Sequence, residues 1–134
     1  MKKFFHKFLN SWTGKIITLN TLVFGIMSIY NYLEFKSWEF TETTLSQFGA
    51  IHPHESSWYS VATMMFLHGG LAHIVCNSIS LHNIGSVLEK HAKSWFLPVY
   101  IISGLVSGIT VYFYGSDLWE FLADFINNST SNVF

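Results

Sequence analysis

Every charged side chain of this 134-residue chain falls in one of four stretches, residues 2–15, 34–55, 89–93 and 117–124. Between them lie three long runs with no charge at all. About 17–25 mostly apolar residues carry an α-helix across a bilayer, so the pattern predicts three spans, at about residues 16–33, 59–88 and 95–114. Only 11% of the residues are charged and half are hydrophobic, whereas a soluble domain carries about 25% charged residues. The expectation is one all-α, multi-pass integral membrane domain. The net charge is −1 and all seven basic residues are lysines, which leaves no global field for nucleic acid. Cys76, the one cysteine, excludes an internal disulfide and reads as a small buried hydrophobe.

Residues 1–15 interleave Lys2, Lys3, Lys7 and Lys15 with Phe4, Phe5, Phe8, Leu9 and Trp12. A signal-peptide reading lacks a small-x-small cleavage site and is followed by too long an apolar run. A basic, aromatic juxtamembrane segment is preferred. In the first span Thr18, Asn20 and Thr21 soften the apolar run, and Tyr30 and Tyr32 fit an interfacial aromatic belt at its far end. Residues 34–57 are too long for a passive loop. Trp38, Phe40 and Phe48 predict that they lie against the membrane surface. His52 and His54 flank Pro53 but lack a third ligand at metal-binding spacing, and read as ordinary loop histidines.

The third span opens with Trp95 and carries Pro98, expected in its first turn, where a missing N–H costs little. Ser103-Gly104 and Ser107-Gly108, four apart, form the small-residue pattern of a tight helix crossing. Residues 116–126 alternate Leu118, Trp119, Phe121, Leu122, Phe125 and Ile126 with Glu120 and Asp124, the pattern of a short interfacial helix. The polar tail from Asn127 is expected to be disordered. Lysines precede span one and follow span two, so the positive-inside rule predicts a cytoplasmic N-terminus and an outside C-terminus.

The middle span is the anomaly. His68, His73, Asn77, Ser78, Ser80, His82 and Asn83 sit in a run otherwise rich in Leu, Ile, Val, Met and Gly. Polar groups inside a membrane are costly unless they face other helices or a wet cavity. On a helix, His73 and Asn77 share one face and His68 is rotated off it. Helix–helix glue accounts for such residues at ~0.6–2 kcal/mol per contact. A metal held by His68, His73 and His82 is disfavoured, because His73 and His82 stand nine residues apart, at ~1.5 Å per residue along the axis.

The pattern His68-Gly69-Gly70-x-x-His73-x-x-x-Asn77 resembles the second transmembrane helix of the rhomboid intramembrane serine proteases. The resemblance extends to Gly85, to Glu89 sixteen residues after His73, and to Ile102-Ser103-Gly104-Leu105-Val106-Ser107-Gly108 in the next helix. It implies that His73 and Asn77 donate to the oxyanion formed when a peptide carbonyl is attacked. It also implies that His68 supports that region by bonding a loop, and that Glu89 ties the cytoplasmic end of the helix. Gly85, Gly104 and Gly108 are then packing positions. No cofactor or metal is implied.

The chain also departs from that family. The family's serine lies in Gly-x-Ser-Gly on a fourth helix and its base is a histidine on a sixth. No Gly-x-Ser-Gly occurs here, since Gly104-Leu105-Val106-Ser107-Gly108 has one residue too many, and Tyr59 follows Trp58 where the family has arginine. An oxyanion hole with neither nucleophile nor base performs no acyl transfer at useful rates. The chain is therefore expected to be a truncated, inactive member of a rhomboid-like fold, its N-terminal half. The alternatives are a non-catalytic module that binds transmembrane helices of partner proteins, and one half of a protease assembled from two chains. The expected partners are membrane lipid and transmembrane helices, with self-association because the polar central helix has only two neighbours. The expected location is a bacterial inner membrane.

Overall fold

The computed structural model describes residues 2–50 and 57–131. Among these the chain is helical, with no strand. Its elements are α1 (Lys2–Asn10), α2 (Trp12–Phe35), α3 (Glu42–Gln47), α4 (Ser60–Thr63) with a 3₁₀ turn (Met64–Phe66), α5 (Leu71–Ser80), a π turn (Leu81–Gly85), α6 (Ser86–His91) and α7 (Lys93–Ser131). His52, Pro53 and His54 lie outside the described residues.

Among the described residues two helices are long and apolar enough to cross a membrane, α2 and the Lys93–Gly115 part of α7. At ~1.5 Å per residue, the 24 residues of α2 reach across a hydrocarbon core of ~30 Å. The expected middle span is broken. Ser60–Phe66 and Leu71–His91 meet at 84° and make a third crossing only if counted together. The break is residues 67–70, where Leu67 is extended and Gly69-Gly70 follow. Gly70 is also extended, at φ 179° and ψ 168°, and its carbonyl accepts the first helical bond of α5, from Ile74 N at 3.1 Å.

Helix ends follow local chemistry. Ser11 caps α2, its Oγ accepting from Gly14 N at 3.0 Å and donating to the Phe8 carbonyl at 2.6 Å. Lys36 ends α2 in the left-handed region, at φ 54°. Beyond it, Asn31 organises the connection. Its Nδ2 donates to the carbonyls of Ser37 (2.7 Å) and Glu39 (2.9 Å), and its Oδ1 accepts from Thr44 Oγ1 (2.6 Å) and Thr41 N (3.4 Å). Aromatic pairs fold the same connection onto α2: Phe24 with Phe40, Tyr30 with Phe48, Tyr32 with Trp38. Thr63 Oγ1 donates to the Gly49 carbonyl at 2.6 Å and ties α4 to that connection.

α7 begins at Lys93, two residues before the expected start, so Pro98 lies in its second turn. It removes the N–H that would bond the Ser94 carbonyl, which is near the exposed end of the helix. The helix runs on through residues 116–131 with no break at Gly115, so the predicted interfacial helix and most of the predicted tail continue the third span as helix. Residues 132–134 lie outside the described part. Gly104 and Gly108 do face a close neighbour: a Cβ at Gly108 would sit 2.5 Å from the Val61 carbonyl, and one at Gly104 would collide with the end of Met65. The crossing predicted from the small residues is therefore with α4 and its 3₁₀ turn.

Among the described residues the buried apolar core is small: Ile16 and Met27 of α2, Ile74 of α5 and Phe96 of α7. Leu22, Ile26, Leu33, Ile84, Ile102 and Val106 are all more than half exposed, as befits side chains that face lipid. Cys76 is exposed as well, not buried as the sequence predicts. Its α5 face has no helix packed over it among the described residues.

Candidate functional site

The polar stretch divides at the break. His68 is not on α5: it sits in residues 67–70, is 3% exposed, and its Nδ1 lies 3.2 Å from the Phe66 carbonyl. His73 and Asn77 lie one helical turn apart on α5, and both are exposed. Neither makes a hydrogen bond to another described residue, so their donors are free. The imidazoles of His68 and His73 nevertheless meet, ring centroids 5.1 Å apart and tilted by 63°. A chain break of two glycines thus folds the histidine five residues upstream back against the first turn of the helix.

Beside them, a cavity of about 450 Å³ opens between α2, the α5–α6 helix and α7. His68, Asn77, Gly85 and Gly104 line it, with Ser80, Ser103 and Ser107 among mostly apolar neighbours. His73 is not part of that lining; it continues the same helical stripe past the cavity's end. Gly108 packs on Val61 instead. Gly85 is a point of close approach. A Cβ there would lie 3.1 Å from both Phe96 Cε2 and Thr13 Oγ1, so three helices converge on a position with no side chain. The π turn carries Gly85 into that notch. Such turns insert one extra residue into a helix and re-aim the side chains that follow.

Glu89 belongs to the opposite end. Its carboxylate accepts from Trp12 N (2.8 Å), Thr13 N (3.0 Å) and Thr13 Oγ1 (2.9 Å). It therefore satisfies orphan donors in the first turn of α2 and places a negative charge at the positive end of that helix dipole.

One lining residue did not stand out in the sequence as part of a site. Asn20 of α2 is 6% exposed, borders the cavity, and its Oδ1 has no hydrogen-bond partner. Its signal was present: Asn20 and Asn31 are eleven residues apart in the charge-free run 16–33, three helical turns, and so share a face. No group of three or more His, Cys, Asp or Glu side chains converges as a metal site among the described residues.

A family model for the rhomboid domain matches residues 55–121, half of the chain. Rhomboid protease GluP of Bacillus subtilis is 26% identical over 106 residues, 76% of this chain and 20% of the relative. Rhomboid-like protease 3 of Toxoplasma gondii is 31% identical over 103 residues, 74% of this chain and 39% of the relative. The chain thus spans between a fifth and two fifths of these curated relatives. No solved structure matches it significantly.

Proposed function

The chain belongs to the rhomboid family and is an integral membrane protein, and from that premise we propose that it carries the oxyanion-binding part of an intramembrane serine endopeptidase acting on transmembrane substrates. The observation that carries the reading is the pair His73 and Asn77, one turn apart on α5, exposed, and free of internal hydrogen bonds. Two unspent donors on one face are what stabilisation of a developing oxyanion requires. His68, buried behind His73, fixes that imidazole by ring contact. Residues 1–134 contain no Gly-x-Ser-Gly, so alone they lack a nucleophile and perform no peptide cleavage. The placement of Lys2, Lys3, Lys7, Lys15, Lys90 and Lys93 supports a reading with the N-terminus in the cytoplasm and the C-terminus outside, and the proposed location is a bacterial inner membrane.

The test is a fluorophosphonate probe on the purified chain, followed by co-reconstitution with a rhomboid segment that bears Gly-x-Ser-Gly and the base histidine. The chain alone stays unlabelled. The combination cleaves a transmembrane substrate, and Asn77→Ala in this chain lowers kcat about 10²-fold, the cost of one oxyanion donor. Labelling of the chain alone, or cleavage indifferent to Asn77, refutes the reading. The open cavity beside Asn77, walled by Ser103, Gly104 and Ser107, favours a second reading: a non-catalytic module that seats a partner's transmembrane helix. Site-specific crosslinking from Ser103 to single-span proteins, with no cleavage in any combination, supports that one.

A further inference from the structure

We propose that the pocket where α1 meets the α6–α7 junction binds the phosphate headgroup of an anionic membrane lipid. The pocket, about 560 Å³, is lined by Lys7 of α1, by His82 and Ser86 of the π turn and α6, and by Glu89, Lys90 and Lys93. Three lysines from two separated parts of the chain therefore line it. The one carboxylate in the lining, Glu89, is already engaged by three donors of the α2 first turn, at 2.8–3.0 Å. None of the three lysines forms a close ion pair with another described residue, although Lys93 interacts electrostatically with Glu89, and all three are exposed. A lysine is a compact point charge with three donors, suited to phosphate oxygens of varied geometry.

Depth identifies the source of the phosphate. The pocket lies where α2 and α7 begin, at Trp12 and Lys93. Trp12 and Trp95 are 38% and 65% exposed at that level, as in the aromatic belt of a membrane–water interface. Phe8 stacks at a tilt on His82, centroids 6.0 Å apart, and forms an apolar wall beside the lysines. An apolar wall next to ammonium groups at headgroup depth fits a lipid, whose acyl chains continue into the bilayer. Basic pockets between transmembrane helices bind such headgroups, and each lysine near an anionic surface contributes about five-fold in affinity.

The test uses the full chain in phosphatidylcholine vesicles doped with spin-labelled phosphatidylglycerol or spin-labelled phosphatidylcholine. The motionally restricted fraction reads association. Wild type is expected to prefer phosphatidylglycerol by about five-fold or more. Lys7→Gln/Lys90→Gln/Lys93→Gln abolishes the preference, and the milder Lys90→Gln, at an exposed position, weakens it with helicity unchanged. Lys2→Gln/Lys3→Gln/Lys36→Gln removes the same charge elsewhere and retains the preference. Equal association of the two lipids with wild type, or equal loss in both triple variants, overturns the proposal. So does displacement of the labelled lipid by inorganic phosphate but not by chloride at matched ionic strength, because the site would then belong to free phosphate.

Discussion

Asn20 and Asn31 stand three turns apart on the same face of α2, and both are buried. Asn31 is wholly enclosed and both ends of its amide are used: two carbonyls take its protons, and a hydroxyl and a backbone N–H approach its oxygen. Asn20 presents its oxygen to an open cavity without a hydrogen-bond partner, although its side chain interacts with the Tyr100 hydroxyl on the cavity wall. The same residue type, on the same helix, is finished at one depth and unfinished at the other. At the Asn31 level the chain supplies its own partner, a connection that folds back within thirteen residues. At the Asn20 level the partners are three separate helices, and between them a volume remains unfilled. A buried polar atom without a partner carries its desolvation cost in full, and a donor added in the cavity would offset it.

That contrast can be broken by measurement in detergent-micelle unfolding. Asn31→Ala leaves two carbonyls and the Thr44 hydroxyl without their amide and should cost the most, about 3 kcal/mol. A loss below about 1 kcal/mol would mean the connection does not depend on it. Gly108→Ala forces a methyl against the Val61 backbone and should cost about 2 kcal/mol. Gly104→Ala meets the Met65 side chain from Cγ to Cε, which is flexible where the Val61 backbone is not, and should cost about 1 kcal/mol, a difference that checks which glycine sets the α4–α7 approach. Glu89→Gln replaces a carboxylate that accepts three hydrogen bonds by an amide with one acceptor oxygen, and should cost about 1–2 kcal/mol. Asn20→Leu should cost least and be neutral to stabilising by about 1 kcal/mol, because it removes a buried oxygen with no partner and gives up only the side-chain interaction with Tyr100. If Asn20→Leu proves as costly as Asn31→Ala, the two asparagines are equivalent and the cavity holds a bound donor.

The three charge-free runs, read against the length a bilayer demands, determined that the chain is helical, that it lives in membrane, and where two of its crossings lie. Those properties follow from local composition, which a lipid solvent enforces residue by residue. The spacing of His68, His73, Asn77 and Glu89 likewise carried the family resemblance, since it is a pattern along the chain. Three-dimensional placement was decided elsewhere. Periodicity could not show that Gly69-Gly70 would turn the middle run through 84° and take His68 off the helix, because two glycines in an apolar run are compatible with helix, bend or close packing. Nor could it show which segment the Gly104–Gly108 face would meet, or that Glu89 would reach Trp12 and Thr13 across more than seventy residues. Those are contacts between segments. Composition states what each helix can bury; only the packing of one helix on another decides which polar groups find partners and which, like the Asn20 oxygen, are left facing open space.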